Sequence, residues 1–272
     1  MSNIRTYGVL AAYAGQESYA EQMSGKPSRF TKAFKKSVSI SFDTIEHDPS
    51  ADFKVLIQCE SPTMYQALTQ KVIDNHRNFN LVLTYDERLL GLPNARPFLP
   101  IAQWIKPDLS KGKRPLVTFL MSSKRITYHH MFRFKAAEVL AATKNKHGME
   151  YLFYRNPPRL ERKADLLDQA MFHVAMENQP IPNMFTEKLL DCFVAHAVPI
   201  YFGCTNIDQF FDVRGMLRFE TPAQLAEIMS NVSEQQYIQM KPAMEKNLIL
   251  AQEYINFSVF ERIEKILSEY VE

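Results

Sequence analysis

The stretch Phe172-His173-Val174-Ala175-Met176-Glu177-Asn178, then Thr186-Glu187-Lys188-Leu189-Leu190-Asp191, then Val198-Pro199-Ile200-Tyr201-Phe202-Gly203 decides the fold. Phe172–Met176 and Val198–Phe202 are brief, nearly continuous apolar runs, the pattern of strands buried on both faces. Between them Thr186 stands where a helix begins and can cap it. The first strand ends in Glu177-Asn178, so polar groups emerge where a parallel sheet places its ligand site. Glu187 and Lys188 fall in the first helical turn. Free N–H groups and the helix dipole favour an anion there, and Lys188 adds positive charge. Glu187 can accept hydrogen bonds from sugar hydroxyls. The combination suits a nucleotide carrying ribose and phosphates; an ordinary capped helix with an exposed ion pair has the same residues.

Working outward, the alternation continues. Strands are expected at Arg5–Ala12, Phe53–Cys59, Leu81–Tyr85, Leu116–Met121 and Tyr151–Tyr154. Helices are expected at Thr63–Asn75, Met131–Thr143, Leu160–Gln169, Thr186–His196 and Pro222–Asn231, with a helical tail over Met240–Val271. Such alternation argues for an α/β protein with parallel sheets covered on both faces. The polar stretch Lys106–Pro115, with two prolines and a glycine, reads as a linker. It divides the chain into residues 1–108 and 109–272, the tail included in the second part, and the expected architecture is two Rossmann-like domains facing each other across a cleft.

Composition narrows the function. The 272 residues are 46% hydrophobic and 23% charged, which excludes a disordered chain. A net charge of +2 gives no electrostatic case for nucleic acid. No stretch approaches the ~20 apolar residues of a transmembrane helix, and Gly8–Ala14 reads as a buried strand rather than a signal peptide. The three cysteines, Cys59, Cys192 and Cys204, show no Cys-x-x-Cys spacing, so a disulfide framework or zinc site is not expected and a cytoplasmic location is.

The order of the pieces resembles the C-terminal signature of the family 10 glycosyltransferases, the α-1,3/1,4-fucosyltransferases. That signature runs as an apolar strand, Glu-Asn, a short loop, Tyr-Val-Thr-Glu-Lys, an apolar helix and Pro-Ile-Tyr-Trp-Gly. Here it reads Ala175-Met176-Glu177-Asn178, Met184-Phe185-Thr186-Glu187-Lys188 and Pro199-Ile200-Tyr201-Phe202-Gly203. Upstream, Val117–Lys124 is similar to the family's strand ending in Ser-x-Lys, and Arg133 follows on the next helix. Glu60-Ser61-Pro62 and Phe79–Asp86 resemble the family's first-domain motifs.

The resemblance implies a GT-B fold and an inverting transfer of fucose from GDP-fucose to a glycan or saccharide hydroxyl, as in protein glycosylation. It implies Glu60 as general base. Glu187 would take the ribose, Lys188 and Arg133 the diphosphate, with Glu177, Asn178, Thr186 and Lys124 completing the donor site. Two departures bear on the donor: the family's tyrosine is Met184, and its tryptophan is Phe202. Another nucleotide sugar, or sugar-nucleotide binding without turnover, are the alternatives. No Asp-x-Asp occurs, so neither a metal nor another cofactor is expected, and cationic side chains would stabilise the leaving diphosphate. Lys188, as a first-turn lysine, is expected to be exposed and to matter little for folding.

Overall fold

The computed structural model describes residues 3–8, 29–62, 67–123, 125, 128–156 and 160–271. Lys124 lies outside them, as do the side chains of His129 and His130. The described elements are, in order, β1 (Ile4–Gly8), β2 (Val38–Phe42), β3 (Phe53–Ile57), α1 (Leu68–Asn75), β4 (Leu81–Thr84), α2 (Glu87–Leu90) and β5 (Ala95–Pro97). There follow β6 (Arg114–Ser122), α3 (Tyr128–Ala142), β7 (Glu150–Asn156), α4 (Ala164–Leu167), β8 (Ala170–Met176), α5 (Glu187–Val194) and β9 (Val198–Phe202). The chain continues through β10 (Leu217–Arg218), α6 (Pro222–Asn231), α7 (Glu234–Leu250) and α8 (Gln252–Asn256) to α9 (Val259–Val271).

The chain divides into two compact units. The first comprises Met1–Ala102, Pro182–Met184 and Asn256–Glu272, and the second Gln103–Ile181 and Phe185–Ile255. The boundary thus falls ahead of the expected position between Asp108 and Leu109. The last helix also belongs to the first unit, whereas the sequence reading placed it in the second.

Packing explains that correction. The first unit is a parallel sheet in the order β1-β2-β3-β4-β5. Alternation along a strand sends neighbouring side chains to opposite faces. Val55, Ile57, Leu81 and Leu83 line one face, where Phe260, Ile263, Leu267 and Val271 of α9 complete the core. Leu56 and Val82 line the other, under Leu68 and Val72 of α1 and Leu89 of α2. Helix α9 covers this face together with Phe34 and Phe98. Polar anchors fix the helix: Glu264 accepts from the backbone N–H of Thr31 and of Lys32 (2.7 Å for the latter), and Arg262 donates to the carbonyls of Leu99 and Ile101 at 2.7 and 2.6 Å.

The second unit is a parallel sheet in the order β10-β9-β8-β6-β7. Strands β8 and β9 are buried along their whole length. β6 is followed in the chain by β7 on one side, and the chain then returns to place β8 on the other. The strand order therefore reverses between β6 and β8, and ligands of open α/β sheets bind outside the carboxyl ends of the strands at such a point. Among the described residues, no helix is long and apolar enough to cross a membrane.

Candidate active site

At the carboxyl end of β8, the backbone of Glu177 still pairs with β9, its N–H donating to the carbonyl of Phe202 at 2.8 Å. The Glu177 carboxylate is fully buried and turns toward the start of α5. One oxygen accepts from the Thr186 N–H at 2.8 Å and the other from the Thr186 hydroxyl at 2.7 Å. Burial raises its pKa, against the pull of Lys188 and of the Thr186 hydrogen bonds. Glu177 therefore fixes Thr186, and Thr186 in turn caps α5 by accepting from the Lys188 N–H.

Gly203 makes this geometry possible. A Cβ there would lie 2.4 Å from Cγ of Glu177 and 2.4 Å from the Tyr201 hydroxyl oxygen. The Tyr201 ring is buried, and its oxygen accepts from the N–H of Cys204 at 3.0 Å. The Pro-Ile-Tyr-Phe-Gly run thus supports the carboxylate: the strand is buried, the tyrosine closes the turn, and the glycine leaves room for Glu177.

The Lys188 ammonium donates to the Thr186 hydroxyl at 3.0 Å and to Glu187 at 2.9 Å, and it lies 3.6 Å from Glu177. Its side chain keeps only 26% exposure. This corrects the expectation of an exposed first-turn lysine: Lys188 neutralises two carboxylates that have left most of their water. For Glu187, burial acts to raise the pKa, but Lys188 and Lys163 outweigh it and the carboxyl falls to about 2. Lys163 is itself buried and paired at 2.6 Å with Asp191, which also accepts from the Trp104 N–H at 2.8 Å.

Arg133 projects from α3 across the point where the strand order reverses. Its guanidinium is buried and donates to the Met176 carbonyl at 3.2 Å and to Oδ1 of Asn178. Desolvation lowers its pKa, opposed by Glu177 and Glu187. Glu177, Asn178, Thr186, Glu187, Lys188 and Arg133, named from sequence as separate candidates, thus come together within the second unit as two hydrogen-bonded groups, Arg133 with Asn178 and Glu177 with Thr186, Glu187 and Lys188, joined through the backbone of Met176–Asn178.

Glu60 lies in the first unit, beyond the carboxyl end of β3, and is exposed. Its backbone is held on both sides. Its N–H donates to Asp43 at 3.1–3.2 Å, and its carbonyl accepts from the Tyr85 hydroxyl at 2.8 Å.

Sequence reasoning missed several residues. Lys163 was not singled out, and Asp191 stood only as part of the quoted helix. Gly203 was a motif letter without a reason. Arg125 was not singled out, whereas Arg155 reads from sequence as part of a basic loop, either lining the donor cleft or solvated; Arg155 is in β7, and both lie over the Phe134 ring, at 4.5 and 5.3 Å from its centre. A cavity of about 630 Å³ beside Gly203 is lined by Phe132, Phe202 and Phe219 together with Lys135, Arg218 and Thr221. These lining residues come from three separate segments, and no local pattern joins them.

Comparison with known proteins agrees with this architecture. Residues 112–241 match glycosyltransferase family 10 (fucosyltransferase) C-term. An α1,3-fucosyltransferase crystallised with GDP-fucose superposes with a TM-score of 0.51 at 12% identity, covering 92% of this chain and 89% of that one. TarM of S. aureus, crystallised in a complex containing UDP, gives 0.52 at 10% identity over 95% of this chain and 58% of that one. An α-glucosyltransferase in complex with UDP-glucose and DNA gives 0.50 at 11% identity, over 85% and 80%. No curated protein matches by sequence. The two parallel-sheet units are those of a glycosyltransferase with the GT-B fold. Within that class, the stretch 112–241, which holds all the residues around Glu177, is the part similar to the C-terminal region of the family 10 glycosyltransferases.

Proposed function

We propose that the protein is an inverting glycosyltransferase that moves fucose from GDP-fucose to a hydroxyl of a glycan or saccharide acceptor. The observation that carries this reading is the constellation at the start of α5: Glu187 and Lys188 sit side by side in the first turn, braced from below by Glu177 through Thr186. A nucleotide diphosphate offers partners for both. Ribose hydroxyls donate to Glu187, ionised at working pH, and phosphate oxygens accept from Lys188. Donor binding then exchanges the internal Lys188–Glu187 pair for two charge-assisted contacts.

In the reaction, the bond from the anomeric carbon to the phosphate oxygen breaks as the bond to the acceptor oxygen forms. Glu60 accepts the acceptor proton. The charge developing on the departing diphosphate is stabilised by Lys188, by Lys124, and by Arg133, which also orients Asn178. Protein cations fill this role without a metal, because the sequence has no Asp-x-Asp pair. Turnover is therefore expected to persist in excess EDTA, and complete, metal-reversible loss would contradict it. The three cysteines, none of them in a disulfide, fit a reducing, cytoplasmic setting.

Two measurements test the reading. GDP or GDP-fucose should raise the melting temperature more than UDP or CMP, since a ligand that binds only the native state stabilises it. Glu60→Gln should slow the chemical step by about 100–10,000-fold while donor affinity holds. Met184 in place of the family's tyrosine alters the nucleotide pocket, and a preference for UDP would replace the fucosyl donor and leave the transferase assignment standing.

A further inference from the structure

We propose that Asp43 is a positioning residue for the reaction, holding the peptide of Glu60 so that the carboxylate above it is presented from a fixed backbone. This rests on the reading of Glu60 as general base.

Asp43 directly follows β2 and has left-handed backbone geometry, φ +53°. Aspartate is one of the few residues with a side chain that adopts this conformation at modest cost. The turn drives its carboxylate inward, to 7% exposure, beneath the carboxyl end of β3. There Oδ1 accepts from the Cys59 N–H at 2.8 Å, and both oxygens accept from the Glu60 N–H at 3.1–3.2 Å. From the other side, the buried Tyr85 hydroxyl donates to the Glu60 carbonyl at 2.8 Å. The Glu60 peptide is thus gripped at its donor and its acceptor by groups from two flanking strand ends, while its side chain stays exposed.

The arrangement is costly in the way a functional site often is. Burial raises the Asp43 pKa to about 6, only partly offset by the two N–H donors, and the nearby Glu60 charge adds to the rise. The titratable groups around it among the described residues are Cys59 and Glu60 at the end of β3, and Tyr85 followed by Asp86 at the end of β4. A carboxyl raised in the folded state contributes stability below its unfolded value, and that contribution is lost as pH rises through about 6. At neutral pH the ionised Asp43 therefore lowers stability while its oxygens accept from the loop that carries Glu60.

Asp43→Asn keeps the shape, suits the left-handed backbone and removes the charge. The acceptor-transfer rate at saturating GDP-fucose should fall about 10–100-fold, the cost of loosening a reacting group by a fraction of an ångström to an ångström. The donor KM should hold, and the melting temperature at pH 8 should be equal or higher. The acid limb of the rate profile near pH 6 should move in the variant. Tyr85→Phe, which removes only the hydroxyl, should slow transfer in the same direction and serves if the asparagine variant fails to fold. In a Glu60→Gln background, Asp43→Asn should add nothing further. Wild-type rates in both Asp43→Asn and Tyr85→Phe would overturn the proposal. So would an Asp43→Asn effect that multiplies fully with Glu60→Gln, because Asp43 would then act elsewhere. Wild-type turnover in Glu60→Gln alone would instead remove the base assignment on which this proposal rests.

Discussion

At the scale of single residues, the site depends on charges that neutralise one another before any donor arrives. Lys188 faces Glu187 and Glu177, so Lys188→Ala has two consequences. Binding of GDP should weaken by about 1.5–3 kcal/mol, the range for a hydrogen bond to a charged group. The urea midpoint should also fall, because the buried Glu177 loses its nearby cation; an unchanged midpoint with lost GDP binding would show that Lys188 serves the donor alone. Gly203→Ala tests the support beneath. Its Cβ would strike Glu177 and Tyr201, so overpacking should cost about 1–3 kcal/mol and displace the carboxylate that holds Thr186. Calorimetry with GDP should show weaker binding even where the fold survives. The buried histidine of β8 gives a pH test. His173 bonds Thr118 at 2.7 Å, and desolvation, helped by Lys163 and Lys113, lowers its pKa from 6.5 to about 3. The unfolded chain therefore takes up a proton that the native state refuses. Stability from this group is present above pH 6.5 and is lost as pH falls toward 3. His173→Gln should show a smaller drop in melting temperature between pH 7 and pH 5 than wild type does.

At the scale of elements, the clearest sequence signals were runs whose burial is uniform. Val198–Phe202 and Pro222–Asn231 have the expected limits, and Ala170–Met176 extends the expected strand by two residues at its start. Strand β2 was invisible because Ser39 and Ser41 interrupt its apolar run. Both are fully buried, and the fold satisfies them with the Asp48 N–H and the Glu46 carbonyl. Asp43 was missed with the strand that delivers it. The expected helix Leu160–Gln169 contracts to Ala164–Leu167, since its flanks are tied outward by Lys163 to Asp191 and by Asp168 to Lys111. The tail was legible as helix, which the structure divides into α7, α8 and α9, but its destination was not: amphipathicity states that α9 has an apolar face and is silent on which sheet receives it. Ile263→Ala or Leu267→Ala removes side chains buried against the first sheet and should destabilise that unit by about 2–5 kcal/mol in urea unfolding. A cost near zero would place α9 elsewhere.

At the scale of the whole molecule, the chain spends its few reactive side chains sparingly. Cys192 and Cys204 are buried and Cys59 is half-buried, and burial pushes the Cys59 and Cys192 thiols upward. Only a thiolate attacks a disulfide or a maleimide at an appreciable rate. The native protein should therefore be nearly silent to thiol reagents, although it carries a cysteine in each unit. That silence makes labelling chemistry into a clock. Cys59 is the residue next to Glu60, and it becomes reactive only when the segment shared by the two opens. Its modification rate, followed by mass spectrometry with and without nucleotide, measures how often the backbone beneath Glu60 lets go, while Cys192 in the same sample times the opening of the helix that carries Lys188.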